Sequence, residues 1–101
     1  MSFSADYSDA SHELKISIEG RFDFSAHQDF RSCYENMKES PGAYCLDMAS
    51  ATYLDSSALG MLLLLRDHAG GDKANIRIVN CNPDVKKILT ISNFQQLFTI
   101  Q

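Results

Sequence analysis

Clusters of basic residues are missing from this sequence. It carries 9 Lys and Arg against 13 Asp and Glu, a formal net charge of −4, and no run of Lys or Arg occurs along it. Proteins that bind nucleic acid or an anionic membrane surface normally present clustered Lys and Arg. The charge pattern therefore argues against both as the main partner, and we expect no direct contact with nucleic acid.

Long apolar segments are missing as well. The longest wholly apolar run covers residues 61–65, whereas a helix needs about 20 apolar residues to span a bilayer. Residues 1–6 lack the basic and apolar regions of a signal peptide. We therefore expect no membrane insertion and a cytoplasmic location.

Cysteines are few, and their spacing forms no motif. Cys33, Cys45 and Cys81 lie far apart, without a Cys-x-x-Cys or other ligand-spaced group. This spacing disfavours a zinc site and a thioredoxin-type redox pair. An odd number of cysteines in a cytoplasmic chain favours buried, reduced thiols. We expect neither a metal nor a cofactor.

The remaining composition is typical of a folded globular chain. The 101 residues are 45% apolar and 22% charged, which is enough for one hydrophobic core and too little for two. We therefore predict a single domain over residues 1–101.

Hydrophobic alternation predicts two strands near the N-terminus. Apolar and polar residues alternate over residues 3–7 and 14–18, on either side of a polar turn, which indicates a hairpin of half-buried strands. Ser25 and Gln28 then have capping-box spacing, so we predict a helix from Ser25 to the Pro41-Gly42 pair. Its single apolar stripe comprises Phe30, Cys33, Tyr34 and Met37.

Strands and helices alternate through the rest of the chain. Residues 43–48 have the composition of a buried strand, residues 58–69 suit an apolar helix, and the Gly70-Gly71 pair ends that helix. A strand over residues 76–79 precedes a helix that begins with Asn82 as cap and Pro83 in the first turn. A turn and a short terminal strand, which include Ile91, Phe94, Leu97, Phe98 and Ile100, complete the order β-β-α-β-α-β-α-β. This order predicts an α/β fold with a mixed, mostly parallel sheet covered by helices.

The segment between the central strand and the apolar helix turns sharply at Asp55-Ser56-Ser57. Asp and Ser are preferred helix caps because their side-chain oxygens accept hydrogen bonds from the first free backbone N–H groups. Either Asp55 or Ser56 is therefore the predicted cap. A helix N-terminus also favours an anion, so a phosphate carried by Ser56 would be tolerated there. From these residues alone, a plain cap is the simpler interpretation.

Four ordered segments carry a recognisable pattern over nearly the whole chain. They are Gly-Arg-Phe-Asp at 20–23, Leu-Asp-Met at 46–48, Leu-Asp-Ser-Ser-Ala-Leu-Gly at 54–60, and Asn-Pro-Asp-Val-Lys-Lys-Ile-Leu at 82–89 followed by Ser-Asn-Phe. In this order and spacing they resemble the STAS domain, and specifically the bacterial anti-sigma factor antagonists. The resemblance implies the STAS fold.

The resemblance also implies a phosphorylation switch. In that family the serine after the motif aspartate is phosphorylated by a partner that is both anti-sigma factor and serine kinase, and a PP2C-type phosphatase reverses the modification. The matching residue here is Ser56. In that family the unphosphorylated domain binds the anti-sigma factor and frees the sigma factor, and the phosphorylated domain releases the anti-sigma factor. We expect a monomer when free, with a partner-binding surface formed by Asp23, Asp55, Ser56, Ser57, Ala58 and Leu59.

Two features depart from the family pattern. Ala58 stands where glycine is common, a change that a helix interior should favour by roughly 0.5–1 kcal/mol. The chain ends just after the last strand, so we expect that the extra C-terminal helix of many members is missing. The second departure bears on which partner is recognised, not on the fold.

Two other functions compete with the switch. An enzyme is disfavoured because Ser56 lacks the flanking glycines of a nucleophile elbow and no histidine is placed by the sequence as its base. Asp47 and Asp55 do not complete a catalytic constellation either. A STAS adaptor that docks on an ATPase or transporter complex, with Ser56 as a mere cap, remains open. Retention of both Asp55 and Ser56 favours the switch.

Overall fold

A computed structural model of the protein describes residues 2–35, 37 and 41–101. In these residues five strands form one sheet, and their bounds are β1 Ser2–Ser8, β2 Glu13–Phe22, β3 Ala43–Leu54, β4 Ile76–Val79 and β5 Thr99–Ile100. Three α-helices connect the strands, with bounds α1 His27–Glu35, α2 Ser56–His68 and α3 Pro83–Ile91. Short 3₁₀ turns cover Phe24–Ala26, Gly71–Lys73 and Phe94–Gln96.

The strands lie in the sheet in the same order as in the sequence. β1 and β2 form an antiparallel hairpin, and β2, β3, β4 and β5 are parallel neighbours. Each helix connects one parallel strand to the next, and the connections all run in the same direction across the sheet. Because such crossovers are right-handed, α1, α2 and α3 lie on the same face of the sheet. The predicted α/β order and the mixed, mostly parallel sheet are confirmed.

The hydrophobic core lies between this helical layer and one face of the sheet. Along β2 the buried residues Leu14, Ile16 and Ile18 alternate with more exposed ones, as they do in a sheet covered on one side. Helix residues Phe30, Leu62 and Leu89 complete the core from the other side. In the part of the chain that the structure describes, no helix has both the length and the apolar character needed to cross a bilayer.

β3 is twice as long as the sequence pattern indicated. The predicted strand stopped at Met48, whereas β3 continues through small and polar residues to Leu54. The continuation pairs with the end of β2, after register shifts that place Gly20 opposite Ala51 and Phe22 opposite Leu54. Gly20 has φ 85, a conformation that glycine adopts without strain, at the second of these shifts. Strand pairing therefore overrides the weak local preference for a loop.

The first helix begins differently from the prediction. Ser25 was the expected cap, but it lies inside the 3₁₀ turn Phe24–Ala26, and Asp23 is the residue that caps it. One Asp23 oxygen accepts hydrogen bonds from the Ser25 backbone N–H at 3.1 Å and from the Ser25 hydroxyl at 2.5 Å. The predicted helix end falls partly on residues 36 and 38–40, which lie outside the described residues. Phe30 and Tyr34 are buried as expected, while Cys33 and Met37 are half-buried.

The third helix begins as predicted. The Asn82 side chain accepts a hydrogen bond from the Val85 N–H at 2.8 Å, and Pro83 occupies the first turn. The Asn82 amide also donates to the Ala51 carbonyl at 2.9 Å, which ties the start of α3 to the extended part of β3. Gly70 and Gly71 both have positive φ and end α2, as expected.

Candidate functional site

The corner between β3 and α2 is built on Asp55. β3 ends at the buried Leu54, and Asp55 has the extended backbone of a helix N-cap, with φ −98 and ψ −178. Its Oδ1 accepts a hydrogen bond from the Ala58 N–H at 2.9 Å, as a capping side chain does. The Asp55 N–H donates to the Phe22 carbonyl at 3.3 Å, so the corner is also held to the end of β2. Of the two predicted caps, the structure selects Asp55.

The hydroxyl of Ser57 is engaged inside this cap. It donates a 2.6 Å hydrogen bond to the same Oδ1 of Asp55. This hydrogen bond, together with the backbone N–H groups of Ala58 and Ser57 and the charge of Arg21, lowers the pKa of the Asp55 carboxyl, although desolvation opposes them. Asp55 is therefore a carboxylate at neutral pH, and its negative charge is fixed at the start of α2.

Ser56 is placed differently from its neighbours. It is the first residue of α2 and is exposed. Its hydroxyl has no hydrogen-bond partner among the residues that the structure describes. It lies at the helix end where unpaired N–H groups and the helix dipole favour an anion. The structure thus presents a serine hydroxyl that an external protein can reach without breaking a contact.

A second segment, the end of β2 and the 3₁₀ turn after it, adjoins the corner. Arg21 pairs in register with Tyr53, and its guanidinium lies 4.6 Å from the centre of the Tyr53 ring. Arg21 Nε is also 3.8 Å from an oxygen of Asp23. The pairing of β2 with β3 therefore brings together Asp23 and Asp55, which are far apart in sequence.

The two segments of this corner carry an exposed apolar residue and an open helix position. Phe24, which follows Asp23, is 73% exposed, and its ring stacks on His27 at a centroid distance of 6.1 Å. Gly60 is exposed and lies one helical turn after Ser56, on the same face of α2. A Cβ built on Gly60 meets no atom within 4 Å. The face of α2 one turn after Ser56 is therefore open.

One predicted contact residue does not belong to this surface. Ala58 is 0% exposed, and it packs in the core with Met61, Leu62 and Leu65, at the i, i+3, i+4, i+7 spacing of one helix face. Ala58 was predicted to be part of the partner-binding surface, but in this conformation its side chain is buried in the core and not on that surface. Leu59 is half-buried and packs against the core. Asp23, Asp55 and Ser57 are partly exposed.

The other groups considered from the sequence lie elsewhere. Asp47 is on the open face of the sheet, where Lys15 lies 3.6 Å away and Asn80 donates a 3.1 Å hydrogen bond. Among the described residues, no hydrogen bond joins Ser56 to a histidine, and no group of three or more His, Cys, Asp or Glu is arranged to hold a metal. A cavity of about 270 Å³ opens beside Asp47, lined in part by Ser17, Glu19 and Ser50.

The three cysteines are free thiols, as expected, but they differ in burial. Cys45 is buried, while Cys33 and Cys81 are half-buried. Burial raises the pKa of all three thiols above the ordinary value, so they are protonated at neutral pH. Protonated thiols are poor nucleophiles.

The sequence and the fold both resemble known proteins. Residues 5–99 match the family model described as Mlab, STAS domain. The chain is 66% identical over 88 residues to the STAS-domain containing protein PA14_20770 of Pseudomonas aeruginosa (strain UCBPP-PA14), a match that covers 87% of both chains.

Solved structures with low sequence identity share the fold. The anti-sigma factor antagonist SpoIIAA in its unphosphorylated form superposes with a TM-score of 0.81 at 16% identity, covering 99% of this chain and 88% of that chain. The phosphorylated form of the Bacillus cell fate determinant SpoIIAA gives 0.73 at 15% identity, covering 99% and 91%. A sulfate transporter family protein from Wolinella succinogenes gives 0.73 at 13% identity, covering 86% and 75%. Because the family model spans nearly the whole chain and the Pseudomonas relative is so similar, the protein belongs to the STAS-domain family.

Proposed function

We propose that this protein is an anti-sigma factor antagonist that works by partner switching. With Ser56 unphosphorylated it binds an anti-sigma factor that is also a serine kinase, and with Ser56 phosphorylated it releases that partner. A PP2C-type phosphatase restores the binding form. In this proposal the protein acts in the cytoplasm, is a monomer when free, and has no catalytic activity of its own.

The observation that carries the proposal is the difference between two adjacent serines. Ser57 donates its hydroxyl hydrogen to Asp55, whereas the Ser56 hydroxyl is exposed at the first residue of α2. A kinase must bring the hydroxyl oxygen in line with the γ-phosphate of ATP, so the exposed Ser56 hydroxyl is the one that a kinase can phosphorylate. SpoIIAA, which shares the fold, exists in unphosphorylated and phosphorylated forms.

The charge change is large enough to control an interface. A phosphate adds about −1.5 to −2 charge, next to the Asp55 carboxylate in a chain of net charge −4. Repulsion between the phosphate and one negative unit charge of the partner at 4 Å costs about 1 kcal/mol in water and about 4 kcal/mol near a protein surface. The expected loss of affinity is therefore tenfold to thousandfold.

The adaptor function uses the same fold without phosphorylation. The fold of a sulfate transporter family protein is similar, and the Asp55 cap would serve an adaptor that docks on an ATPase or transporter complex equally well. The exposed Ser56 hydroxyl, which such an adaptor does not need, is what favours the switch.

A pull-down from the native host separates the two functions. The baits are the wild type, Ser56→Ala, Ser56→Asp, and Ser11→Asp, which adds the same charge in the exposed turn between β1 and β2. We expect an anti-sigma factor or serine kinase with wild type, Ser56→Ala and Ser11→Asp only, and a phosphate on Ser56 in part of the recovered wild type. If all four baits hold the same ATPase or transporter subunit and no phosphate is found, the adaptor function is correct.

A further inference from the structure

Arg21 lies beside the strand end that leads into the proposed switch, and its charge acts on Asp55. Its side chain is 64% exposed, and its guanidinium lies 4.6 Å from the centre of the Tyr53 ring, three residues before Ser56. The register shift at Gly20 sets this position, because it places Arg21 directly opposite Tyr53. The charge of Arg21 already acts on Asp55, the residue that precedes Ser56.

The present partner of Arg21 holds it loosely. Arg21 and Asp23 form an ion pair, but the 3.8 Å between Arg21 Nε and Asp23 Oδ2 is too long for a hydrogen bond. Asp23 is meanwhile satisfied by Ser25, whose N–H and hydroxyl both donate to its other carboxylate oxygen, Oδ1. If Arg21 moves away, the Asp23 carboxylate therefore still has two hydrogen-bond donors.

A phosphate on Ser56 would compete strongly for Arg21. It carries about twice the charge of a carboxylate and three acceptor oxygens, and the guanidinium binds such groups through two parallel N–H···O bonds. The cation–π contact with Tyr53 is worth only about 0.5–1 kcal/mol at an exposed site, so it does not retain the side chain against a doubly charged anion.

We propose that Arg21 binds the phosphate when Ser56 is phosphorylated. To do so, its side chain leaves Asp23 and Tyr53. This inference rests on the proposed function for its biological setting, but its chemistry needs only the phosphate. Its consequence is that one modification changes two segments of the surface. The start of α2 gains the phosphate, and the turn at Asp23 loses the cation that balanced it.

The test installs phosphoserine at position 56 during synthesis with a suppressor tRNA, so that no kinase is required. The pKa of the phosphate is then measured by ³¹P NMR in otherwise wild-type protein and in Arg21→Gln, Arg21→Lys and Arg31→Gln. Arg31 is the control because it is an exposed arginine that already pairs with Glu35 on α1.

We expect the phosphate pKa to be lower in the wild type than in Arg21→Gln by roughly half a unit to one unit. Arg21→Lys should restore most of that difference, since the charge is kept, and Arg31→Gln should match the wild type. The Tyr53 ring resonances should move on phosphorylation in the wild type and stay in place in Arg21→Gln. Equal phosphate pKa values in wild type and Arg21→Gln, or unmoved Tyr53 resonances in the wild type, would overturn the inference.

The same proteins separate this inference from the proposed function. If the phosphate releases the partner but its pKa does not depend on Arg21, the switch stands and the role of Arg21 is refuted. If the pKa depends on Arg21 but phosphorylated and unphosphorylated proteins hold the same partner, Arg21 pairs with the phosphate and partner switching is refuted.

Discussion

The Ser57 hydroxyl and the Asp55 carboxylate are joined by a hydrogen bond of 2.6 Å at the start of α2. The same Asp55 oxygen accepts the Ala58 N–H, so the acid is oriented by two donors before any partner arrives. The two serines of the corner consequently have different roles. Ser57 is held in the cap, and the Ser56 side chain remains exposed.

The first prediction concerns the strength of this cap. Asp55→Ala removes the acceptor of both hydrogen bonds and should lower the free energy of unfolding by about 0.5–2 kcal/mol. Asp55→Asn keeps an acceptor oxygen and should lose less. Urea unfolding followed by far-UV circular dichroism measures both variants. Equal stability of Asp55→Ala and wild type would show that the cap contributes nothing.

The second prediction is a pH dependence with a defined sign. The Ser57 hydrogen bond lowers the pKa of Asp55 in the folded protein, so the unfolded chain binds the proton first as the pH falls. The stability that this group contributes is present above its unfolded pKa of about 3.9 and is lost as the pH falls through the lower folded value. The difference in unfolding free energy between wild type and Asp55→Asn should therefore shrink below about pH 4. A difference that stays constant from neutral to acid pH would contradict the assignment.

The order of elements and the starts of α2 and α3 could be predicted from local signals. Asn82 and Pro83 mark α3, and Asp55 marks α2, through side-chain chemistry that acts within one helical turn. The length of β3 could not be predicted, because its second half is held by β2, a partner about 30 residues away along the chain. The contact of Arg21 with Tyr53 depends on the same pairing and on two register shifts that the sequence does not reveal.

The burial of Ala58 could not be predicted for a different reason, because the sequence does not distinguish the faces of α2. Ala58, Met61, Leu62 and Leu65 follow the helical spacing of one face, but Leu63 and Leu64 make the rest of α2 apolar as well. An almost uniformly apolar helix does not show which face is inside. The structure resolves this, with Leu64 51% exposed and Ala58 fully buried.

The third prediction follows from that burial and from its exposed neighbour Gly60. Ala58→Arg places a charge in the core and should destabilise the fold by more than about 3 kcal/mol. Gly60→Ala adds a Cβ that meets no atom within 4 Å and should raise the unfolding free energy by about 0.5–1 kcal/mol. Thermal unfolding of the two variants tests whether Ala58→Arg lowers the stability and Gly60→Ala raises it. A destabilised Gly60→Ala would mean that the glycine has a role in the free protein.

The fourth prediction separates the two functions of Asn82. Its oxygen caps α3 and its amide donates to the Ala51 carbonyl. Asn82→Asp keeps the cap but removes the donor, whereas Asn82→Ala removes both. We expect unfolding free energies in the order wild type, Asn82→Asp, Asn82→Ala, with steps of about 1 kcal/mol each. If Asn82→Asp were as stable as wild type, the link between α3 and β3 would contribute nothing.

The last prediction compares two exposed apolar side chains. Phe24 and Ile91 are 73% and 71% exposed, so replacing either with alanine should change the unfolding free energy by less than about 0.5 kcal/mol. Phe24 follows Asp23 at the proposed surface, whereas Ile91 is the last residue of α3, at the opposite end of the helical layer.

Aromatic side chains at the centre of an interface often contribute 2 kcal/mol or more. If the partner binds around Ser56, Phe24→Ala should therefore weaken its affinity by roughly tenfold or more, and Ile91→Ala should leave it unchanged. Isothermal titration calorimetry with the partner recovered in the pull-down measures both. A loss confined to Ile91→Ala would move the interface to the far end of α3, and the exposed Ser56 hydroxyl would then lie outside the surface that its phosphorylation is proposed to control.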